Sequence, residues 1–395
     1  MTFEIPGQDA LWDEPGEGET GPVQLPATLR TRRSRLLPAR PTTKNRPKHS
    51  RGPAADPFAN PPTIHEDPEL WAVHKEISRL DPYGDRTGYA IREALDQIYD
   101  GQRTGRWDFT QLLKTEKTHI GTLVEIWLQR EFEFNDGLEL DYNIAGADVD
   151  CKWSRNLYEW EIPEEMYSRG NKIALVVWAN EYTARWASGL IRISEEVLKP
   201  RGNQRDKKRH LNDEGRRRIL WLVEGADLVK NTLLHITDPR KLELIAYATR
   251  GQTAVDNLFR ELPGELVNRA TVLTAAQQVD SAKRVRDSRK RLQPDGIVIF
   301  GHYRPHPRMA EELGLPAPTL GRFVSARIHP WQGNDPEPNT LIYGSPWRLA
   351  RPDDLTVPAP DIAPDKLMKW NREQEPYSKP RSGPCPVDLK IRDGP

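Results

Sequence analysis

The sequence predicts an α/β protein with two folded domains between two proline-rich tails. At about 150 residues per domain, 395 residues are enough for two or three domains. Apolar residues recur at helical spacing at the start of the first domain and through most of the second, and short strand-like runs lie between. Eleven of the 35 prolines fall in residues 1–65 and nine in residues 351–395. We therefore predict folded domains over residues 66–223 and 224–350.

The charge balance and the cysteine content argue against several classes of protein. The 58 Lys and Arg residues equal the 58 Asp and Glu residues, so any DNA-binding surface must be a local feature. No apolar run is long enough to cross a bilayer, and the first twenty residues contain six acids and no Lys or Arg, unlike a signal peptide. Cys151 and Cys385 are too few for a disulfide framework. We therefore expect a cytoplasmic protein without a membrane segment.

Both ends of the chain have the composition of disordered tails. Residues 1–65 are acidic at first, and residues 30–51 then carry nine Lys or Arg and no acid. These cations could contact DNA phosphates, although a solvated linker explains them equally well. Residues 351–395 are rich in proline with balanced charges, and Trp370 and Tyr377 could hold this C-terminal tail against the body.

The first domain is predicted to begin with helices and to continue as short strands. Asp67-Pro68 is a helix start, and further helices are predicted over residues 87–98 and 118–132. The turn signal Asn135-Asp136-Gly137 follows. Strands are then predicted over residues 138–144, 148–153, 160–162, 173–179 and 190–193. The fourth of these strands is apolar throughout, which is typical of a central strand covered on both faces.

An acidic and lysine motif spans the turn between the first two strands. Asp141 is predicted on the first strand, and Asp148, Asp150 and Lys152 share one face of the second because side chains alternate along a strand. In metal-dependent nucleases, carboxylates at such spacing hold a hard cation, and a lysine stands beside the phosphate and the attacking water. A half-exposed strand with a polar face is the alternative, because the Asp-x-Lys pattern is short.

Glu125 supports the catalytic interpretation of this motif. It lies in an apolar stretch of the preceding helix, where burying an unpaired carboxylate is costly. Cys151 lies between Asp150 and Lys152. We predict that it is a small buried residue rather than a nucleophile, because nothing in the sequence supplies it with a base.

The second domain is predicted to contain a helix-turn-helix followed by a wing. Residues 271–278 and 282–292 have helical patterns, with Asp280 or Ser281 as the cap of the second helix. The turn Asp295-Gly296 and strands over residues 297–300 and 323–328 come next. This order favours DNA binding over an ordinary solvated helix surface. The candidate DNA-contacting side chains are Lys283, Arg284, Arg286, Arg289, Lys290 and Arg291.

Two further segments carry weaker signals. Residues 98–103 look like the nucleotidyl-transfer motif of DNA ligases, but Ile98 replaces the lysine that would form the adenylate. We interpret this segment as a structural or DNA-facing turn rather than as a former ligase site. Residues 199–218 carry nine Lys or Arg in a loop that could hold phosphates or could simply be solvated.

Several motifs taken together resemble one enzyme family. They are Glu125, Asp141, the triplet Asp150-Cys151-Lys152, Glu-Lys-Thr-His at 116–119 and Asp-Gly-Gln-Arg-Thr-Gly-Arg at 100–106. At this spacing they closely resemble the NaeI family of type II restriction endonucleases, over about residues 80–345. The resemblance implies a PD-(D/E)xK endonuclease domain followed by a winged-helix domain like that of the catabolite activator protein. It also implies a homodimer that needs Mg²⁺ and binds two DNA sites.

The same resemblance implies a role for each residue of the motif. Asp141 and Asp150 would bind the metal, Lys152 would position the water and stabilise the transition state, and Glu125 would be an accessory carboxylate. Leu140 stands where many such nucleases have a proline, a position that varies among them.

The function implied is Mg²⁺-dependent double-strand cleavage of DNA at a palindromic sequence, stimulated by a second DNA site. A cognate DNA methyltransferase acting on the same sequence would accompany such an enzyme. The alternatives are a repair or mobile-element nuclease of the same chemistry and a non-catalytic winged-helix regulator. The carboxylate pair with its lysine argues against the regulator, because DNA binding alone does not require it.

Overall fold

Helices and two β-sheets make up the computed structural model, which describes residues 38–42, 52–200, 207–278 and 280–374. The helices are α1 (Pro68–Leu80), α2 (Asp85–Tyr99), α3 (Gly101–Thr104), α4 (Lys114–Phe132), α5 (Glu165–Ser168), α6 (Asp213–Arg217), α7 (Pro239–Ala246), α8 (Gly251–Glu261), α9 (Arg269–Ala276), α10 (Ser281–Leu292), α11 (His306–Glu312) and α12 (Pro364–Gln374). The strands are β1 (Asn135–Asp136), β2 (Tyr142–Ile144), β3 (Ala147–Ser154), β4 (Ile173–Asn180), β5 (Arg185–Arg192), β6 (Leu220–Asp227), β7 (Val267–Asn268), β8 (Ile297–Phe300), β9 (Arg322–Pro330), β10 (Asn339–Ile342) and β11 (Ser345–Leu349). Within the described ranges, no helix is both long and apolar enough to span a bilayer.

The first sheet has the strand order β1-β2-β3-β4-β5-β6, in which β3 and β4 are parallel and the other neighbours are antiparallel. Every residue of β4 is buried, which confirms the prediction of a covered central strand. On one face, α2 packs against α4 and α4 packs against β3. Val149 and Cys151 belong to the core on this face, and Trp153 packs against it, as strand alternation predicts. The helix that carries Glu125 therefore lies over the strand that carries Asp150 and Lys152.

The opposite face of the first sheet is covered by irregular chain and short helices. Trp160 and Trp178 are fully buried there, and the indole Nε1 of Trp160 donates to the carbonyl of Val177 over 2.8 Å. The strand predicted over residues 160–162 is reduced to one bridge between Ile162 and Arg209. The Trp160 ring fills the core on this face from an irregular segment. The apolar residues of that segment therefore resemble a strand in sequence, although no strand forms there.

The last strand of the first sheet crosses the predicted domain boundary. β6 pairs with β5 in antiparallel register, so residues 224–227 belong to the first sheet rather than to the second domain. As an edge strand it exposes part of its surface, and half-exposed residues do not give the continuous apolar pattern seen in β4. The first sheet therefore extends to Asp227, past the predicted boundary at residue 223, while the domain limits themselves remain predictions.

The second half of the described chain combines helices α7 to α11 with a sheet of order β10-β11-β9-β7, in which β8 also pairs with β9. Helix α9 ends at Ala276, and Gln277 after it adopts a left-handed conformation. Asp280 caps α10 by accepting the backbone N–H of Lys283 over 2.8 Å. Gly296 then has a φ of 75° and leads into β8. The predicted order of helix, turn, helix and strand is therefore observed.

The two halves of the described chain meet where α3 contacts α9. A Cβ atom at Gly101 would lie 2.0 Å from Oγ1 of Thr274, so only glycine allows this approach. Asn231 reinforces the junction, because its Nδ2 donates to the carbonyl of Trp107 over 2.6 Å. Gly101 belongs to the ligase-like segment, and the structure thus gives that segment a structural role at the junction.

Parts of both predicted tails are packed against the folded body. Within the described residues before position 66, Arg40 pairs with Glu243 at 3.0 Å and Asn60 donates its N–H to Arg217 over 2.9 Å. Beyond residue 350, Ala359, Ile362 and Leu367 are buried in the core around β8 and β9. The predicted contact of Trp370 with the body is confirmed, because the centres of the Trp370 and Tyr343 rings lie 5.8 Å apart.

Contacts with the folded body therefore begin before residue 66 and continue beyond residue 350. The apolar contacts involved are few and scattered, so composition alone does not reveal them. Residues 1–37 and 375–395, which include the predicted contact residue Tyr377, lie outside the described residues.

Candidate active site

Asp141, Asp150 and Lys152 come together where β2 and β3 pair. Asp141 immediately precedes β2, and its Oδ2 accepts the backbone N–H of Cys151 on β3 over 2.7 Å. Lys152 Nζ lies 2.6 Å from Oδ2 of Asp150. The Asp141 and Asp150 carboxyl groups are also within hydrogen-bonding reach of each other. Two adjacent carboxylates and one ammonium group thus form a single polar cluster.

Burial and the neighbouring Asp141 carboxylate disfavour ionisation of Asp150. Asp150 is 6% exposed, and its burial is the main cause that raises its pKa to about 7. Lys152 opposes this shift, whereas the hydrogen bond and the charge of Asp141 increase it. A pair of this kind favours a proton or a cation between its oxygens. The donor set therefore fits a hard divalent cation such as Mg²⁺, whose preferred ligands are oxygens.

Glu125 approaches the same cluster from α4. Its side chain is half-buried, and burial followed by repulsion from Asp141 raises its pKa, while Lys152 acts in the opposite direction. The hydroxyl of Tyr142 donates to the backbone carbonyl of Glu125 over 2.8 Å and so fastens this turn of α4 to β2. The four predicted catalytic residues thus form one electrostatic group.

The number of carboxylates is sufficient for magnesium. Among the described residues, no group of three or more His, Cys, Asp and Glu side chains is arranged to surround a metal ion. Magnesium usually keeps several waters and is held by one or two protein carboxylates together with substrate phosphate oxygens. The Asp141 and Asp150 pair meets that requirement.

Cys151 is a buried structural residue, as predicted. The residue is 7% exposed, and burial raises the pKa of its thiol well above the usual range, which disfavours the nucleophilic thiolate. Its contribution to the site is its backbone N–H, which holds the Asp141 carboxylate.

The basic side chains of α10 divide into an exposed group and an internally bonded group. Lys283, Arg286 and Lys290 are exposed. Arg284 Nη1 donates to Gln252 over 3.2 Å, and Arg291 Nε donates over 2.6 Å to Asp256, a buried residue, although most of the Arg291 side chain is exposed. The helix can therefore present cations outward at three described positions without breaking an internal bond.

Arg289 does not fit the predicted DNA-contacting set. Its Nε donates to the carbonyl of Ile299 on β8 over 2.8 Å, and burial lowers its pKa to about 10. Arg289 lies four residues after Val285, whose side chain is buried, so helical geometry turns it toward the sheet rather than outward.

The basic loop is largely neutralised by its own acidic neighbours. Lys207 pairs with Glu164 and Lys208 with Glu161, each at 2.7 Å. Arg209 is buried and pairs with Glu195. The arginines of the short helix α6 and the residue after it pair with Asp213 and Glu214. Residues 201–206 lie outside the described residues, and the described part of this loop favours internal ion pairing over phosphate binding.

Comparison with known proteins agrees with the motif resemblance. The family model described as Restriction endonuclease NaeI matches residues 72–358. The type II restriction enzyme NaeI of Lentzea aerocolonigenes is 45% identical over 315 residues, which cover 77% of this chain and 96% of that relative. The family predicted from Glu125, Asp141 and the Asp150-Cys151-Lys152 triplet is thereby confirmed. The chain belongs to the NaeI family of restriction endonucleases and is a type II site-specific deoxyribonuclease that acts on double-stranded DNA.

Proposed function

We propose that this enzyme makes Mg²⁺-dependent double-strand cuts at a palindromic DNA sequence, with Asp141, Asp150, Lys152 and Glu125 as its active site. The observation that carries the proposal is the contact between the Asp150 carboxylate and the Lys152 ammonium, 2.6 Å apart, beside the Asp141 carboxylate. A carboxylate pair beside a lysine is what a PD-(D/E)xK active site would require, and these three side chains lie on a sheet that is covered by α4.

Each residue has a task that follows from its chemistry. Asp141 and Asp150 would hold the metal, which when bound supplies Lewis acidity and lowers the pKa of water. The Lys152 side chain is 21% exposed, and its ammonium group can hold the attacking water and offset negative charge on the phosphate. Glu125, with its raised pKa, can accept or hold a proton beside the cluster. The Cys151 N–H keeps Asp141 in place.

The second domain would read a DNA site as a winged-helix domain. The support is the order of α9, turn, α10 and the antiparallel β8–β9 pair, together with the exposed cations Lys283, Arg286 and Lys290. Occupation of this second site would stimulate cleavage at the first. A homodimer would place one active site on each strand of a symmetric sequence, and a cognate methyltransferase would protect the host DNA.

The test is cleavage of an unmethylated plasmid by the purified full-length chain, followed by sequencing of the new termini. Cuts at one palindromic sequence are expected with Mg²⁺, none with EDTA, and recovery when Mg²⁺ is added back. A short duplex carrying that sequence should accelerate cleavage of a single-site plasmid. Undiminished cutting in EDTA, or termini without a common sequence, would overturn the proposal.

A further inference from the structure

A tight turn positions Asp141 in the candidate active site. The strand predicted over residues 138–144 begins only at Tyr142, and the chain before it folds back on itself. The N–H of Gly137 approaches the carbonyl of Asp141 at 3.5 Å. A Cβ atom at Gly137 would lie 2.4 Å from the carbonyl oxygen of Leu140, so the turn requires glycine there. The position of Asp141 therefore depends on how this turn is held.

Asp148 of β3 holds the turn through both of its carboxylate oxygens. Its Oδ1 accepts the N–H of Leu138 over 2.8 Å, and its Oδ2 accepts the N–H of Glu139 over 3.0 Å. In the pairing of β2 with β3, Asp148 lies opposite Asn143, and Asn143 follows Asp141 by two residues. Although alternation places Asp148 on the face of Asp150 and Lys152, its oxygens bind the backbone of the turn.

Two further contacts show that the turn is fastened along its length. The Glu139 carboxylate pairs with Lys172 at 2.7 Å, and Lys172 immediately precedes β4. At the end of the turn, the Asp141 carboxylate accepts the Cys151 N–H. Asp148 and Cys151 both belong to β3, the strand that carries Asp150. The relative position of the two carboxylates is thus set by bonds from a single strand.

We propose that Asp148 is a positioning residue, which fixes Asp141 relative to Asp150 and so sets the affinity of the site for its divalent cation. This inference rests on the proposed function. Magnesium requires its oxygen ligands at about 2.0–2.1 Å in near-octahedral geometry, so small displacements of one ligand weaken binding. Residues that orient a metal ligand typically contribute about tenfold to a hundredfold to metal affinity.

The test compares two substitutions that remove the same charge. Asp148→Asn keeps one acceptor oxygen for the turn, whereas Asp148→Ala keeps none. Asp136→Asn is the control, because Asp136 lies on β1 of the same sheet and its carboxylate accepts from Gln129 rather than from the turn. Mn²⁺ would be titrated into each full-length protein and followed by the electron paramagnetic resonance of the free ion. Plasmid cleavage would be measured against Mg²⁺ concentration.

We expect the Mn²⁺ dissociation constant to rise about tenfold or more in Asp148→Ala and less in Asp148→Asn, with Asp136→Asn unchanged. Half-maximal cleavage should need correspondingly more Mg²⁺, and excess Mg²⁺ should restore most of the rate. Thermal unfolding monitors the fold of each variant. If Asp148→Ala does not fold, the inference is tested by comparing the Mn²⁺ dissociation constant of Asp148→Asn with that of wild type.

Several results would overturn the inference. Equal losses in Asp148→Asn and Asp148→Ala would show that only charge matters. Unchanged metal affinity with a slower maximal rate, or unchanged behaviour throughout, would show that the turn does not govern metal binding. If wild type and Asp141→Asn bind Mn²⁺ equally, the proposed metal site itself fails and this inference fails with it. Weaker Mn²⁺ binding by Asp141→Asn, together with normal Mn²⁺ binding by both Asp148 variants, would disprove this inference but leave the proposed metal site intact.

Discussion

The ammonium of Lys152 lies 2.6 Å from the carboxylate of Asp150 in a site where the carboxylate is almost completely buried. The contact joins two opposite charges on neighbouring positions of one strand face. A buried carboxylate without such a partner would lose its charge at ordinary pH. The contact with Lys152 therefore counteracts the rise in the pKa of Asp150 that burial causes, and so favours the charged carboxylate.

Asp150→Asn and Lys152→Ala should each lower single-turnover cleavage by at least about a hundredfold, because each removes a charge that acts on the reacting phosphate or on its cation. Folding and DNA binding, measured by thermal unfolding and by gel shift without a cleavage-supporting metal, should change little. Asp136→Asn, on the same sheet, should cut normally. Near-normal cutting by either active-site variant would disprove the assignment.

Lys283, Arg286 and Lys290 should contribute to DNA affinity in the way exposed cations do. Replacing each with Ala should weaken duplex binding, and each lost phosphate contact should reduce the slope of log affinity against log salt by about one. A lost bidentate base contact would cost about 1–3 kcal/mol and relax specificity at one position. These variants should also lose stimulation by added duplex.

Arg289→Ala is the matched control on the same helix, because Arg289 is bonded to the Ile299 carbonyl. Its effect on DNA affinity should be smaller than that of the exposed cations. If Arg289→Ala instead weakens DNA binding as much as Arg286→Ala does, our division of α10 into exposed and internally bonded cations is incorrect.

The buried His306 makes stability depend on pH. Its Nδ1 accepts the N–H of Gly301 over 3.0 Å, and its Nε2 hydrogen-bonds the carbonyl of Ile362 at 2.7 Å, so the neutral ring fits both partners. Burial, and then the charge of Arg289, lowers its pKa to about 4. A histidine in the unfolded chain has a higher pKa, of about 6.5. The stability that the neutral His306 ring gives to the folded protein is therefore complete above about pH 6.5 and is lost as the pH falls toward 4.

Urea unfolding at pH 7.5, 5.5 and 4.5 should therefore show a decline in the free energy of unfolding, of which His306 accounts for up to about 3 kcal/mol. His306→Gln should be less stable at pH 7.5 but should have a shallower decline. An equally steep decline in that variant would assign the pH dependence to other groups.

The described part of the N-terminal segment makes a truncation experiment informative. Gln111 Nε2 donates to the carbonyl of Ala39 over 2.7 Å, and the N–H of Thr42 donates to Thr110 over 3.0 Å. Arg40 reaches α7 of the second half, where it pairs with Glu243 and lies 4.7 Å from the ring centre of Tyr247. Residues 38–42 thus contact both halves of the chain.

Removing residues 1–60 should lower the free energy of unfolding by about 1–3 kcal/mol, since it deletes these contacts, and the cleaved sequence should not change. Removing residues 1–37 is the control, because it spares all of them. Chemical unfolding of both truncated proteins measures the difference. Equal stability of the two would show that residues 38–42 contribute nothing to the fold.

Local sequence determined the elements that carry the chemistry. The apolar run of β4, the alternation along β3 and the cap of α10 by Asp280 depend on neighbours a few residues away, and all three are observed. The spacing of Asp141, Asp150 and Lys152 likewise implied a shared site, because a short turn between paired strands leaves few other arrangements.

Tertiary structure alone decided what each polar side chain contacts. The sequence places Asp148 on the strand face of Asp150, yet Asp148 binds the backbone of the turn. It places Arg289 near the edge of the apolar stripe of α10, and only the fold supplies the Ile299 carbonyl as its partner. Composition also assigned Ile362 to a tail, although it is buried beside His306. Such contacts form between residues distant in the chain, and their partners are chosen by burial and by the need to satisfy buried hydrogen-bonding groups. Neither condition has a periodic signature in the sequence, so both appear only after the chain is folded.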